Sequence, residues 1–318
     1  PRDYNTVPRV YFWLFHLIWL FPWSLYLPAV FRLDYRSPER AARVRLLCAC
    51  WIGFVLIFFS LSTSQEYYTM PCYPAFAILI GSALASSDIT LRLSTRLAGA
   101  ISIAAFAAIA VILYMVRQVP TPGDISAALT EHPAAYTLSL GHMEDLTVQS
   151  FAYLRLPLIV AAIACAIGAI GTWRWMERKT VLSLALAMTL FFHAARLAMV
   201  SFDPYLSSRP LADSLLWSPK GTLIVDDPYW EFSSVFFYTN STGLLLNGRR
   251  NNLEYGSYAP GAPSVFISDS DLARIWNGAT RCYLLTEKPN LRRIQGLLGA
   301  PALREVKESG GKYLFSNQ

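Results

Sequence analysis

Six stretches of the chain are near-continuous apolar runs about as long as a helix needs to cross a bilayer, roughly 17 to 25 residues. They cover 11–31, 44–61, 71–86, 97–116, 153–173 and 181–202. The third is the shortest and carries Pro74 in its first turn, so it is expected to extend into its flanks. Tyr11, Trp13, Trp23 and Tyr26 crowd the ends of the first run, as amphipathic rings do at a membrane–water interface. After residue 207 the pattern changes to short β-rich runs at 222–225, 264–267, 282–286 and 312–315, separated by helical segments at 210–217, 268–277 and 290–298. Strands alternating with helices predict a mostly parallel sheet. The expected fold is a polytopic α-helical membrane protein with about six transmembrane helices over 1–204, followed by a C-terminal periplasmic α/β domain over 205–318.

Composition supports this division. Of 318 residues, 54% are hydrophobic and only 15% charged, against roughly 25% charged in a soluble domain. That excludes disordered, collagenous and small disulfide-stapled classes. Residues 205–318 hold 12 Lys+Arg and 10 Asp+Glu, nearly the density of a soluble domain. The net charge of +6 lies in short loops rather than on one continuous face, so it reads as topology and not as nucleic-acid binding. Five arginines fall in 32–45, two at Arg92 and Arg96, and Arg174, Arg178 and Lys179 lie together. One threading puts all ten cations on the cytoplasmic side. Residues 1–10, 62–70, 117–152 and the tail then face the periplasm of a bacterial inner membrane. Cys48, Cys50, Cys72, Cys165 and Cys282 form neither a disulfide framework nor a zinc pattern. No nucleotide-binding glycine loop and no internal repeat is present. The start at Pro1, without a signal-type leader, is read as a piece of a longer protein.

The densest candidate chemistry is Ser62-Thr63-Ser64-Gln65-Glu66-Tyr67-Tyr68-Thr69-Met70-Pro71, which places a carboxylate, an amide and two phenols between two spans. Ionisable groups at a membrane face mark function unless they are simply solvated. Arg2 and Arg9 stand outside the first span on the side where the charge rule does not put them. There a guanidinium either snorkels or binds a lipid phosphate. His16, alone within a span, reads as packing before catalysis. The long 117–152 segment reads as a cover over a site at the membrane face. Asp226-Asp227 reads first as a turn and helix cap, Asn240-Ser241-Thr242 as a chance sequon, and Arg249-Arg250 and Arg292-Arg293 as solvated surface.

The juxtamembrane Tyr-Phe-Trp-Leu-Phe…Phe-Pro-Trp of 11–23, paired with Gln-Glu-Tyr-Tyr-Thr-Met-Pro-x-x-Pro-Ala-x-Ala-Ile-Leu from Gln65, resembles the aminoarabinose transferase branch of the GT-C glycosyltransferases. These are relatives of the protein O-mannosyltransferases. The layout of spans followed by a periplasmic α/β domain covers nearly the whole chain, whereas the motifs lie within 1–23 and 62–80. The resemblance implies an enzyme that moves a sugar from a polyprenyl-phosphate carrier to a lipid or protein acceptor. Its catalytic Asp is expected upstream of Pro1, so this segment alone is expected to be inactive. Tyr68 matches the family tyrosine that approaches the carrier phosphate. Where the aminoarabinose members carry a Lys at the start of this loop, this chain has Ser64.

Substrate or carrier-phosphate binding is accordingly expected from Arg9, Gln65, Glu66, Tyr67 and Tyr68, with the prenyl chain in a groove among the spans. Membrane lipids are expected partners and nucleic acid is not. No cofactor is called for, and a divalent metal is allowed but not required. Two other readings compete: a transporter or flippase-like protein, and a non-enzymatic membrane-anchored envelope protein. The first predicts charges facing a pathway through the bundle, but away from their ends the spans hold only His16, His193 and Arg196.

Overall fold

A computed structural model of the chain describes residues 9–61, 66–86, 89–130, 145–174, 178–250 and 252–318. Its membrane part comprises α1 (Arg9–Trp19), α2 (Leu27–Val30), α3 (Arg40–Leu61), α4 (Tyr73–Leu84), α5 (Ile89–Met115), α6 (Arg155–Arg174) and α7 (Arg178–Leu206). Among the described residues four helices, α3, α5, α6 and α7, are long and apolar enough to cross a membrane; α1 and α2 together make up to five. Six spans were expected, and two of them differ for physical reasons.

The first run is broken, its two halves meeting at 111°. Pro22 has no N–H to donate and keeps its neighbour out of helical geometry. The chain therefore passes through a 3-10 turn, Trp23–Tyr26, before α2. Phe21 N–H turns to the Ile18 carbonyl, and the Ser24 hydroxyl donates to the Leu17 carbonyl at 2.7 Å. The bend is docked on α5, where Ser94 Oγ donates to the Leu25 carbonyl and the Tyr26 hydroxyl lies 3.1 Å from Thr95 Oγ1. The third run yields only the 12 residues of α4. At 1.5 Å per residue that is about 18 Å, short of a hydrocarbon layer of about 30 Å. Tyr26, Val30, Ile52, Leu56, Leu79 and Ile80 form the core that joins these elements.

The α5–α6–α7 hairpins pack through small residues. A side chain on Gly171 would overlap Ser183, whose hydroxyl donates to the Ile167 carbonyl at 2.9 Å.

The α/β domain follows as α8 (Arg209–Leu216), β1 (Thr222–Asp226), α9 (Ser233–Thr239), β2 (Gly243–Leu246), α10 (Asn252–Ser257), β3 (Phe266–Ile267), α11 (Asp269–Trp276), β4 (Cys282–Glu287), α12 (Leu291–Leu298), β5 (Arg304–Ser309) and β6 (Lys312–Ser316). The strand order is β3-β2-β1-β4-β6-β5. The first four are parallel, with Ile224 opposite Leu284, whereas β6 runs antiparallel to both β4 and β5. The sheet is therefore mostly parallel, as expected, with β6 and β5 added antiparallel at one edge. The reason is local: Gly310 and Gly311, at φ +65° and +74°, close a tight hairpin. Leu223, Val225, Tyr283 and Leu285 face one core layer, and Ile224, Leu246, Leu284 and Phe315 the other.

That hairpin turn is also the joint with the membrane part. A Cβ on Gly310 would occupy the space of the Pro204 carbonyl in α7. Gly310 N–H donates to Asp124 Oδ2 at 3.4 Å, and the Tyr205 hydroxyl donates to the buried Asp145 carboxylate at 3.1 Å. The described parts of the 117–152 segment are thus tied to the domain through Asp124 and to the end of α7 through Asp145, and they meet in a bridge between Leu129 and Leu146. Residues 131–144 lie outside the described residues.

At the C-terminal edge of the parallel strands, Asp226 is buried and accepts from the Thr286 hydroxyl at 2.8 Å and from Arg293. Arg293 also donates to Asp269 at 2.6 Å, and Asp227 pairs with Arg250. Asp226-Asp227 thus belongs to an ion-pair network around one buried carboxylate, Asp226, rather than to a cap, and neither Arg250 nor Arg293 is simply solvated. Burial pushes the Asp226 carboxyl above the usual carboxylate range, while Thr286 and Arg293 pull it back.

Two outcomes follow from these contacts. Gly310→Ala should displace the domain from α7 and raise the rate of limited proteolysis near 207–221 several-fold, read on the full chain in detergent. Arg293→Ala should cost about 2 kcal/mol at neutral pH, below the 3–5 of a fully buried pair because Arg293 is 36% exposed. With its folded-state value raised, Asp226 supports the fold below its unfolded value and loses that support as pH rises through the folded one. The deficit of Arg293→Ala should therefore shrink towards about pH 4, as measured by thermal unfolding across pH.

Candidate functional site

The site begins where α3 ends. Pro71 and Pro74 both lack an N–H, and the chain enters α4 through a seven-residue 3-10 segment, Glu66–Cys72, instead of a full helical turn. This tight spiral points successive side chains in different directions. Tyr67 is 51% exposed and Met70 also faces outward, whereas Thr69 and Cys72 are buried. The Tyr67 and Tyr68 rings meet edge to face at 5.0 Å, and Tyr68 lies 5.0 Å from Phe59 of α3. Desolvation and the neighbouring Tyr68 push the Tyr67 phenol above its ordinary value, so it remains a hydrogen-bond donor throughout the neutral range.

α1 clamps the inner side of this segment. His16 Nδ1 lies 3.2 Å from the Tyr73 hydroxyl and 3.5 Å from Thr69 Oγ1, and its ring meets Tyr73 edge-on. Trp13 Nε1 donates to Ser60 Oγ at 3.1 Å. His16, read from the sequence as hydrogen-bonded packing before catalysis, is placed in that way, with Thr69 and Tyr73 as its partners. No spacing could have shown it, because its partners lie 53 and 57 positions away.

Of the expected site residues, the structure brings Tyr67 and Tyr68 together at the mouth of α3 and α4. Glu66 opens the 3-10 segment and Arg9 opens α1, but both side chains, like all of Gln65, lie outside the described residues. α3 and α4 pack as consecutive helices joined by Glu66–Cys72, so this segment lies at the end of α3 and the start of α4, away from Arg40 and Leu84. At the junction of α5 and α6 Arg155 donates to the Val116 carbonyl, and the described residues beside it reach the α/β domain through Asp124 and Gly310.

The sheet edge offers a second place where open α/β folds bind ligands. There Asp226, Asp227, Asp269, Arg250, Arg293 and Thr286 are paired with one another, which gives them a structural role. Among the described residues no group of three His, Cys, Asp or Glu side chains is placed to hold a metal.

No protein-family model matches the chain, and no curated protein matches it significantly. Two solved structures do. ArnT from Cupriavidus metallidurans bound to undecaprenyl phosphate aligns with a TM-score of 0.67 at 15% identity, over 99% of this chain and 53% of that one. ArnT from the same organism in the apo state aligns with a TM-score of 0.64 at 16% identity, over 98% and 53%. This chain spans about half the length of those structures. The aminoarabinose transferase likeness read from Gln65 to Leu79 is thus matched in three dimensions: over nearly all of its length, the chain has the fold of half an ArnT.

Proposed function

We propose that the chain is part of an integral-membrane glycosyltransferase that takes a sugar from a polyprenyl-phosphate carrier and passes it to a lipid or protein acceptor. The enzyme would sit in a bacterial inner membrane, with 1–204 in the bilayer and 205–318 in the periplasm. The observation that carries this reading is the fold shared with an ArnT bound to undecaprenyl phosphate. A phosphate-linked sugar already carries a good leaving group, so the protein must orient an acceptor and stabilise the departing phosphate oxygens. Tyr67 and Tyr68 supply neutral donors at the end of the bundle that also carries the α/β domain. The Tyr68 ring packs against Phe59 and the Tyr67 ring against Tyr68, and the segment beneath them is held by His16 through Thr69. Arg9 and Glu66 enter as the charged groups for phosphate and acceptor. The exposed apolar faces of α3 and α4, including Phe54, Phe58 and Ile78, suit a prenyl chain.

The test uses the full-length protein and measures sugar transfer from a polyprenyl-phosphate donor. Tyr68→Phe removes one hydroxyl and keeps the ring; loss of one positioned donor typically costs about 100-fold in turnover. Tyr68→Ala should be no better than Tyr68→Phe, and Glu66→Gln should also lower transfer. Full activity in all three variants would overturn the site assignment.

A further inference from the structure

One face of α7 is left bare by the described residues. Leu182, Leu186, Thr189, His193, Arg196 and Val200 follow one another in alternate steps of four and three, which sets them in one line along the helix. Every one of them is exposed. The opposite face carries Ser183 and Ala187, buried beside Gly171 and Gly168 of α6. Leucine and valine facing outward are ordinary in a span. Histidine and arginine at the middle of the line are not, because hydrocarbon solvates neither, and such groups turn towards protein or water.

Thr189 Oγ1 donates to the Ala185 carbonyl at 2.9 Å and His193 Nδ1 to the Thr189 carbonyl at 2.8 Å, which leaves the second ring nitrogen of His193 for a neighbour. The Arg196 guanidinium has no hydrogen-bond or ion-pair partner among the described residues. Asp203 lies further along the same face but two turns away, about 10 Å along the axis. Nor is the end of the helix close: Arg196 stands ten residues short of Leu206, about 15 Å. Side chains on a helix lean towards its N-terminus, which here takes the guanidinium away from that end and deeper into the apolar stretch.

A second copy of the chain does not fit this seam. In a two-fold pair within one membrane the two α7 helices run parallel, so Arg196 meets Arg196 and His193 meets His193, like against like where no water screens them. The complement is a helix with a carboxylate at the depth of Arg196. The shared fold supplies a source, since the chain aligns over nearly all of its length yet spans only 53% of the ArnT chains. We propose that in the full-length protein this face of α7 is covered by a further membrane helix of the same polypeptide, outside these 318 residues, which sets an Asp or Glu carboxylate against Arg196. The proposal rests on the fold and not on the transferase reading.

The experiment uses the full-length protein in its own membrane, with Leu186→benzoylphenylalanine and Val200→benzoylphenylalanine made separately at the two apolar positions that flank the polar stretch. Ultraviolet irradiation should join both positions to one helix elsewhere in the same polypeptide, seen as crosslinked peptides in a species of unchanged mass. That helix should carry a carboxylate between the two points of attachment. Replacing this carboxylate by Leu should lower the amount of folded protein in the membrane several-fold. Adding Arg196→Leu to the same chain should restore it, because the pair removed together leaves no charge in the bilayer. Crosslinks to lipid alone, to a second copy or to a different protein overturn the proposal, as does a partner helix without a carboxylate or a double variant no better than the single one.

Discussion

Hydrocarbon offers a peptide group no hydrogen-bond partner, so every departure from helix inside the bundle must be satisfied by the protein itself. Two departures organise this chain: the bend after α1 and the 3-10 segment before α4. At the bend, the carbonyl freed at Leu17 is taken by Ser24 and that of Leu25 by Ser94. In the 3-10 segment, Cys72 Sγ donates to the Thr69 carbonyl. The two irregular pieces are then tied together through His16, Thr69 and Tyr73. The bend turns α1 so that His16 meets this segment, and the clamp in turn holds the segment rigidly enough to present Tyr67 and Tyr68 outward.

The α/β domain answers to a second constraint, close backbone approach. Its hairpin turn lies against the last turns of α7, where only a residue without a side chain fits, and an aspartate from the 117–152 segment accepts the turn's N–H. Sheet, last membrane helix and connecting segment therefore share one joint. A shift in any of the three would be felt by the others.

Much of this was legible in the residues. The Ser268 start of α11 forms a capping box with Asp271, as its cap-type residues suggested. Three long spans, β1, β4 and β6 fall close to their expected bounds. The failures have identifiable causes. Hydropathy is blind to direction, so the run through Pro22 reads as one span although it folds back by 111°. β5, Arg-Glu-Val-Lys-Glu-Ser, is an exposed edge strand whose charges protect an unpaired edge and erase the apolar alternation that reveals a strand. Arg293 reads as surface because its partners Asp226 and Asp269 are brought to it only by the parallel crossovers.

The two ends of the bundle handle charge differently. Around Glu66–Cys72 the described donors are phenols, hydroxyls and an indole, while Arg117 and Arg155 donate to backbone carbonyls at 114, 116 and 119. At the other end they are guanidinium groups. Neutral donors aimed at a phosphate stabilise charge as it develops without holding a dianion so tightly that it cannot leave. Guanidinium pairs do the reverse and suit a group that stays bound.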